Sequence, residues 1–161
     1  LDEQKLRFCP PLMLIVRSNR KLRLIHLIYI SSATSWPSEN DLKELLGQSR
    51  ARNQRHNITG MLLYNNATYM QVLEGSVEDV HDIYNSILKD PRNTGNVTLV
   101  EEEISQRDFP NWSMGFKNLK NCSPEELPGF QDVFNGKLDK ELVVKNTSMA
   151  LGLLMRFAKN A

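Results

Sequence analysis

The sequence predicts an α+β fold in which helices cover a five-stranded mixed sheet. Three observations predict it. Short, β-rich apolar runs alternate with segments of helical periodicity in the order β-α-β-β-α-β-β. The two helical segments each begin at a serine with an aspartate three residues later, which is a capping-box pattern. The early strands are apolar on both faces, so a further layer must cover the side of the sheet away from these helices.

Length and composition limit the class of protein. The 161-residue chain is long enough for one domain with its own hydrophobic core. Its 20 basic and 19 acidic residues give a net charge of +1, which favours neither nucleic acid nor a membrane surface as a partner. No apolar run approaches the ~18 residues of a membrane span. Cys9 and Cys122 form no disulfide framework or zinc motif, so we expect a cytoplasmic protein.

Three regions differ in character. Residues 1–21 are basic and are interpreted as an extension, either derived from a vector or serving as an arm for an acidic partner. Residues 22–119 hold the alternating strands and helices. Residues 120–161 predict a helical cap or output segment, with a helix start at Ser123 and an apolar helix over 147–159. We expect this tail to cover the outer face of the sheet and to leave an apolar surface for self-association.

The first strand and the first helix have clear patterns. Residues 22–32 are apolar and β-rich, as in a strand that is covered on both sides. A helix over 39–53 follows, with Ser38 as its N-cap. Its inward face begins apolar and ends polar, with steps of three and four residues. The members of this face are Leu42, Leu45, Leu46, Ser49 and Asn53.

A hairpin and a second helix come next. Residues 58–64 and 68–73 are predicted strands joined by a turn at the Asn-Asn dipeptide 65–66, because asparagine tolerates positive φ. The second helix, over 77–89, stops before Pro91.

Two more strands complete the domain. Residues 97–100 form the fourth, and in 112–117 the large side chains alternate with small or polar ones, as in a half-buried fifth strand. The order of elements is that of a ferredoxin-like split βαβ fold with one strand added.

Three polar side chains fall where the pattern predicts burial: Tyr29, Asn53 and Gln71. A buried polar group without a partner costs roughly 1–3 kcal/mol, so each needs a defined partner. Ordinary partners are one explanation, such as a cross-strand bond for Gln71 and a helix C-cap for Asn53. Convergence on a planar polar heterocycle is the other. An Asn amide donates and accepts side by side, which matches an imide N–H next to a carbonyl, as on a flavin ring.

The remaining charged features have simpler interpretations. His26 lies within the first strand and is read as a satisfied core histidine, and His81 is read as a surface residue. The acidic run at 101–103 is typical of a solvated strand end, with a site for a metal or a basic partner as the alternative.

Six motifs resemble, in their order and spacing, the BLUF domain, the blue-light sensor that uses a flavin. They are L-I-Y-I-S-S-A-T (27–34), S-R-A-R-N (49–53), I-T-G-M-L-L-Y (58–64), Q-V-L-E-G (71–75), K-D-P-R (89–92) and F-P-N-W-S-M (109–114). The resemblance covers residues 24–119 and includes the tail only loosely. It is much more specific than any single motif.

The resemblance implies a role for each matching position. Tyr29 would donate an electron and a proton to the photoexcited flavin, and Gln71 would lie between its hydroxyl and the flavin N5/C4=O edge. Asn53 would bind the C4=O and N3–H edge. Trp112 and Met114 would relay the light state. Further cofactor contacts are implied at Leu45, Ser49, Arg52, Ile87, Asp90 and Arg92.

The function implied is that of a short, stand-alone, non-enzymatic blue-light photoreceptor. The two helices 39–53 and 77–89 would cover the flavin face of the sheet. FAD is the implied cofactor, and FMN or riboflavin would fit the same ring site. Output would pass through altered association with another protein, within a homo-oligomer. Asn93 stands where many family members have histidine, which puts one ribityl or phosphate contact in doubt.

Alternatives from other classes stay open at this point. A flavin oxidoreductase would need a hydride donor site, and the sequence has no dinucleotide-binding fingerprint. The others are a ferredoxin-like regulatory module for a different small ligand, a flavin-binding protein without light signalling, and an interaction subunit with an empty pocket.

Overall fold

The described residues, 23–119 and 149–159 of a computed structural model, form a sheet with helices on both faces. The expected extension 1–21, the helix start at Ser123 and residues 147–148 lie outside the described residues. The elements are β1 (Leu24–Ala33), α1 (Glu39–Arg55), β2 (Thr59–Asn65), β3 (Thr68–Ser76), α2 (Val77–Leu88), β4 (Asn93–Glu103), β5 (Gly115–Asn118) and α3 (Met149–Lys159).

The five strands lie in the order β4-β1-β3-β2-β5. β1 pairs antiparallel with β3 and β4, β2 pairs antiparallel with β3, and β5 runs parallel to β2. The sheet is therefore mixed, and the α+β, ferredoxin-like prediction is confirmed.

Serine caps fix where the two central helices begin. The Ser38 side chain accepts from the backbone N–H of Asp41, and the Asp41 carboxylate accepts from the Ser38 N–H, which completes a capping box. The Ser76 hydroxyl likewise accepts from the Asp79 N–H at 3.2 Å. A cap of this kind typically contributes ~1 kcal/mol. Ser76 also ends β3, so its cap fixes the angle at which α2 leaves the sheet.

The β2–β3 hairpin has a two-residue turn. Asn66 and Ala67 have φ angles of 44° and 61°, as a type I′ turn requires at both central positions. The predicted hairpin is present, but its turn residues are 66–67 and not 65–66, because Asn65 still pairs with Thr68 in the ladder. Because a tight turn fixes the register, it also sets which face of β3 carries Gln71.

Two hydrophobic cores lie on opposite faces of the sheet. The inner core lies under α1 and α2, and the outer core lies under α3, where Ala150 and Leu154 are fully buried. Both layers were predicted. Inner-core strand residues include Ile25, Leu27, Tyr29, Leu62 and Leu73, and outer-core residues include Ile28, Met61, Leu63, Met70 and Val72.

The predicted start of the fifth strand is wrong. β5 begins at Gly115, so Trp112 and Met114 precede it. The Trp112 N–H donates to the Phe109 carbonyl at 3.2 Å and closes a turn, while the Trp112 carbonyl accepts from the Gly60 N–H at 3.0 Å. The alternation of large side chains arises instead because Trp112 contacts the outer core and Met114 belongs to the inner core.

The fourth strand is longer than predicted. It spans Asn93–Glu103 because it pairs with β1 along its whole length. β4 is an edge strand and much of it is exposed, so its ends are polar and lack the apolar signal of a buried strand.

Candidate functional site

A cleft lies between the inner face of the sheet and the helices α1 and α2. Its polar and apolar lining residues come from both helices, from β1 to β3 and from the start of β4. Eight of the residues predicted to contact a cofactor line it: Tyr29, Leu45, Ser49, Arg52, Gln71, Ile87, Asp90 and Arg92.

The packing of α1 explains how it presents its part of the lining. Leu42 and Leu46 are buried against the sheet and fix the rotation of the helix. Leu45, Ser49 and Arg52 follow one another by steps of four and three residues, so they share the neighbouring face and point toward the cleft.

Tyr29 and Gln71 form the centre of the site. They lie directly opposite each other on β1 and β3, both on the inner face, and are 3% and 5% exposed. The Tyr29 hydroxyl donates to Gln71 Oε1, and Gln71 Nε2 donates to Met114 Sδ at 3.2 Å. Both ends of the Gln71 amide therefore have partners, and one of them belongs to the segment before β5.

The environment of Tyr29 favours its neutral form. Burial, with a smaller contribution from Tyr84, raises the pKa of the Tyr29 hydroxyl far above its ordinary value. The Tyr84 ring lies with its centroid 5.0 Å from that of Tyr29. The hydroxyl consequently keeps its proton and acts as the donor toward Gln71.

Asn53 is placed differently from the other predicted residues. It is 1% exposed and does not line the cleft. Its Nδ2 donates to the Ser113 carbonyl at 2.7 Å, and the C-cap of α1 is His56. Asn53 Oδ1 is buried and has no hydrogen-bond partner among the described residues. Asn53 follows the cleft-lining Ser49 by four residues, so this unpartnered acceptor lies on the same side of α1 as Ser49.

Two arginines of α1 form hydrogen bonds near the site, one within the cleft lining and one to the segment before β5. Arg52 Nη1 donates to the Ser86 hydroxyl at 2.8 Å. The buried Nε of Arg52 has no hydrogen-bond partner within the described part of the chain. Burial lowers the pKa of this guanidinium. Arg50 Nε donates to the Met114 carbonyl at 3.0 Å. Together with Asn53, Arg50 attaches two successive carbonyls of the segment before β5 to α1.

An ion pair lies at the mouth of the cleft. Arg92 Nη2 lies 2.6 Å from Asp90 Oδ2, and Arg92 Nη1 donates to Gln48 at 3.0 Å. The hydrogen bonds from Arg92 lower the pKa of Asp90, and the pKa of Arg92 is raised by the same contact. These contacts link the end of α2 to α1. They also place a guanidinium and a carboxylate among the residues that line the cleft.

Three lining residues were not predicted: Ser31, Leu62 and Tyr69. Asn93, where the sequence put a contact in doubt, lines the cleft as well. Two of the first three could have been predicted from the sequence, because side chains two residues apart on a strand share a face. Ser31 is two residues after Tyr29, and Tyr69 is two residues before Gln71, so both share the inner face. Burial raises the pKa of Tyr69 to about 12.

His26, His81 and the acidic run at 101–103, which lie outside the cleft, have ion-pair or hydrogen-bond partners. His26 is buried, as expected, and its Nε2 bonds to Glu102 at 3.0 Å, whereas its Nδ1 is without a partner in the residues described. His81 is exposed and lies 2.8 Å from Glu101. The acidic run is thus an exposed strand end whose carboxylates contact basic side chains. In the described ranges no group of His, Cys, Asp and Glu side chains has the arrangement of a metal site.

The chemistry of the cleft suits a planar heterocycle. Leu45 and Ile87 provide apolar contacts from the two helices, and Tyr29 and Gln71 provide a polar floor. The unpartnered Asn53 Oδ1 and Arg52 Nε offer one acceptor and one donor nearby. An edge that carries an N–H next to a carbonyl, as a flavin does, fits this donor and acceptor set. No helix among residues 23–119 and 149–159 has the length and apolar character to cross a membrane.

Comparison with known families gives one clear match. The family model for BLUF, described as sensors of blue light using FAD, matches residues 24–115. The photoactivated adenylate cyclase subunit beta of Euglena longa is 38% identical over 116 residues, which are 70% of this chain and 13% of that protein. The blue light- and temperature-regulated antirepressor BluF of Escherichia coli K12 is 32% identical over 97 residues, or 60% of this chain and 24% of that protein.

Solved structures give the same result. The dark-state structure of BlrB, a BLUF protein, aligns with a TM-score of 0.61 at 27% identity and covers 86% of this chain and 98% of that one. A bacterial light-regulated adenylyl cyclase aligns with a TM-score of 0.61 at 33% identity, over 76% of this chain and 36% of that one. The chain thus spans only a small part of the cyclases that it matches, and nearly all of BlrB.

Proposed function

Because this chain belongs to the BLUF family, the sensors of blue light using FAD, we propose that its Tyr29–Gln71 pair is the switch through which light changes the protein surface. The chain is a blue-light photoreceptor that binds a flavin, and its BLUF domain is a sensor and not an enzyme. One observation carries the proposal, the hydrogen-bond chain from the Tyr29 hydroxyl through the Gln71 amide to the Met114 sulfur.

The residues of the cleft divide into ring contacts and edge contacts. A bound flavin supplies the absorption of blue light and, once excited, a strong affinity for an electron. Leu45 and Ile87 would contact the two ring faces. Asn53 Oδ1 would accept from the ring N–H, and Arg52 Nε would donate to a ring carbonyl, since both atoms are buried without a partner among the described residues. Ser49, Asp90 and Arg92 complete the polar contacts.

Tyr29 is the proposed donor of the electron and the proton. Its raised pKa keeps the proton on Oη in the dark, and its hydrogen bond to Gln71 Oε1 gives that proton a path. Both would return to Tyr29 within the same cycle, so the protein would undergo no net oxidation or reduction. What remains is a changed hydrogen-bond pattern at the Gln71 amide.

The two ends of the Gln71 amide have different partners, so a rotation of the amide changes its hydrogen bonds. In the dark arrangement, Oε1 accepts from Tyr29 and Nε2 donates to the Met114 sulfur. After a half-turn of the amide, Nε2 would face the Tyr29 oxygen, which can accept. Oε1 would then face a thioether, which has no hydrogen to donate. A change at Gln71 therefore breaks its bond to Met114.

The segment from Phe109 to Met114 would carry this change to the other face of the sheet. Met114 belongs to the inner core, while Phe109 and Trp112 contact the outer core beneath α3. A movement of Met114 can therefore reach α3 through a few residues. Couplings of this kind are typically ~1–3 kcal/mol, or ~5- to 150-fold in the affinity for a partner.

The first experiment identifies the cofactor. We expect one non-covalent flavin per chain, with FAD as its form and FMN or riboflavin able to fill the same ring site. Denaturing extraction followed by chromatography measures both the stoichiometry and the form. The absence of any flavin from protein refolded with FAD would contradict the proposal.

The output proposed is altered association with another protein, with the chain itself in a homo-oligomer. Some of the tail helix remains available for this, since Met149 and Met155 of α3 are 51% and 37% exposed. We take residues 22–119 as the sensor and 120–161 as the output segment, in a cytoplasmic setting and without a nucleic-acid partner. Light scattering in the dark and under blue light tests the assembly. A monomer at high micromolar concentration in both would contradict that part.

A further inference from the structure

A buried carboxylate lies on the outer face of the sheet, away from the cleft. Glu74 of β3 is fully buried, and its neighbours across the ladder are His26 on β1 and Thr59 on β2. Most of this face is apolar. A charged group there is costly to bury unless it has defined hydrogen-bond partners.

The partners of Glu74 come mainly from the loop between β4 and β5. Its Oε1 accepts from the Asp108 N–H at 2.7 Å, and its Oε2 accepts from the Phe109 N–H at 3.1 Å. The Thr59 hydroxyl donates to Oε2 at 2.9 Å. Burial raises the pKa of Glu74, while these three hydrogen bonds act in the opposite direction. The carboxylate thus links two successive backbone amides of the loop to the sheet.

Arg107 strengthens the same attachment. Its Nη1 donates to the Thr59 hydroxyl and to the Glu74 carbonyl, both at 2.8 Å, and its Nη2 donates to the Asn57 carbonyl at 2.6 Å. The loop residues 107–109 are therefore held at the start of β2 and near the end of β3. We call these contacts of Glu74 and Arg107 the loop anchor.

The loop anchor lies at one end of the segment that connects the two cores. The Phe109 ring stacks on Trp112 with centroids 5.9 Å apart and an angle of 19°. The other end of the segment is held by Gln71, whose Nε2 bonds to Met114. Glu74 and Gln71 lie on the same strand but on opposite faces. One strand thus contacts both ends of the segment, and Arg50 and Asn53 of α1 also hold the Met114 end.

Whether residues 107–109 are held in place determines which residues move when Met114 is displaced. If residues 107–109 are held, a displacement of Met114 must be taken up by Trp112 and its contacts with the outer core. If they are loose, the loop absorbs it. We propose that Glu74 is a positioning residue for the light signal, holding the loop so that Trp112 responds when Gln71 changes its hydrogen bonds. This inference rests on the function proposed above.

The test measures Trp112 separately from the flavin. The chain has two tryptophans, so Trp36→Phe leaves Trp112 as the single one, and 5-fluorotryptophan labelling gives one ¹⁹F resonance. Glu74→Gln keeps the shape but leaves one acceptor oxygen for three donors. We expect Glu74→Gln to retain flavin and the full light-induced absorbance shift, and to lose at least half of the light-minus-dark ¹⁹F shift.

Two variants act as comparisons. Glu102→Gln changes a carboxylate on β4, which β1 separates from β3. Glu102 contacts His26 and not the loop, so this variant should keep the ¹⁹F difference. Arg107→Met removes the other half of the loop anchor and should reduce the difference as Glu74→Gln does. Arg107→Met alone decides the matter if Glu74→Gln does not fold.

The outcomes separate the two proposals. An unchanged ¹⁹F difference in Glu74→Gln overturns the inference, even if the midpoint of unfolding falls, because that is the result of a purely structural role. An equal loss in Glu102→Gln overturns it as well, since the effect would not be specific to the loop anchor. Absence of an absorbance shift in flavin-loaded protein with native Tyr29 and Gln71 overturns the proposed function instead.

Discussion

Gln71 Nε2 lies 3.2 Å from the Met114 sulfur, and this contact joins the inner face of the sheet to the segment before β5. Gln71 meets Tyr29 at its other end, so its amide is the connection between the proposed electron donor and the segment that reaches the outer core. Met114 is therefore the residue through which we expect a change in the Gln71 amide to reach that segment.

Replacing the sulfur tests this contact. Met114→Leu keeps a similar volume but removes the acceptor for Gln71 Nε2, which destabilises the dark arrangement. A hydrogen bond of ~0.5–1.5 kcal/mol corresponds to dark recovery slowed by about 2- to 10-fold. Absorbance after a blue-light pulse measures the rate. Met61→Leu, in the outer core, is the matched control and should recover at the normal rate. Equal rates in the two variants would contradict the role of Met114.

Asn53 should matter both for flavin retention and for stability. Asn53→Ala leaves the partly buried Ser113 carbonyl without its donor and removes the acceptor proposed for the ring N–H. Each loss costs roughly 1–3 kcal/mol, so flavin affinity should fall by about 5- to 150-fold. Equilibrium titration of refolded protein with FAD measures it. Gln54→Ala, at the exposed neighbouring position, should bind normally, and an Asn53→Ala protein that binds as tightly would refute the assignment.

The β2–β3 turn predicts a stabilising substitution. Ala67 has a φ of 61°, where a Cβ costs ~1–2 kcal/mol and glycine does not pay that strain. The greater freedom of glycine in the unfolded chain offsets ~0.4–1 kcal/mol of the gain. Ala67→Gly should therefore raise the free energy of unfolding by about 0.5–1 kcal/mol in urea titrations. Ala51→Gly, in the exposed interior of α1, should lower it by ~1 kcal/mol, and the same sign for both would be inconsistent with this account.

Asp90 predicts a dependence of stability on pH. Its hydrogen bonds from Arg92 lower its pKa below the ordinary 3.8, so the unfolded chain holds the proton more tightly than the folded protein. The ion pair thus stabilises the fold above about pH 4, and this contribution is lost as the pH falls through the lowered pKa. Wild type should exceed Asp90→Asn in urea unfolding at pH 7, and the difference should shrink as the pH falls below the ordinary pKa of 3.8. A difference that persists in acid would show another cause.

Much of this architecture could be predicted because local signals agree with the fold. Ser38 and Ser76 mark the helix starts because their hydroxyls accept hydrogen bonds from the first turn. The apolar strands predict a sheet that is covered on both faces. The resemblance named eight of the residues that line the cleft, whereas Asn53, which it also named, does not line it. Ser31 and Tyr69 share a strand face with Tyr29 and Gln71, because side chains two residues apart on a strand point the same way. They lie outside the polar positions to which the family motifs assign a role.

The parts that could not be predicted depend on contacts between distant segments. The alternation at Trp112 and Met114 imitates a strand, but a turn to Phe109 and the bonds from α1 to Ser113 and Met114 shape that segment instead. No pattern in the sequence marks those partners. Glu74 is similar, since a glutamate after an apolar strand does not reveal that loop amides more than thirty residues away will surround its carboxylate.

The most direct test is a light-minus-dark absorbance spectrum of FAD-loaded wild type, Tyr29→Phe and Gln71→Leu. Wild type should show a red shift of the flavin bands that reverses in the dark. Tyr29→Phe keeps the ring but lacks the hydroxyl, and Gln71→Leu lacks the amide, so both should bind flavin and show no shift. A normal reversible shift in either variant, or no shift in flavin-loaded wild type, would contradict the claim that this pair is the switch.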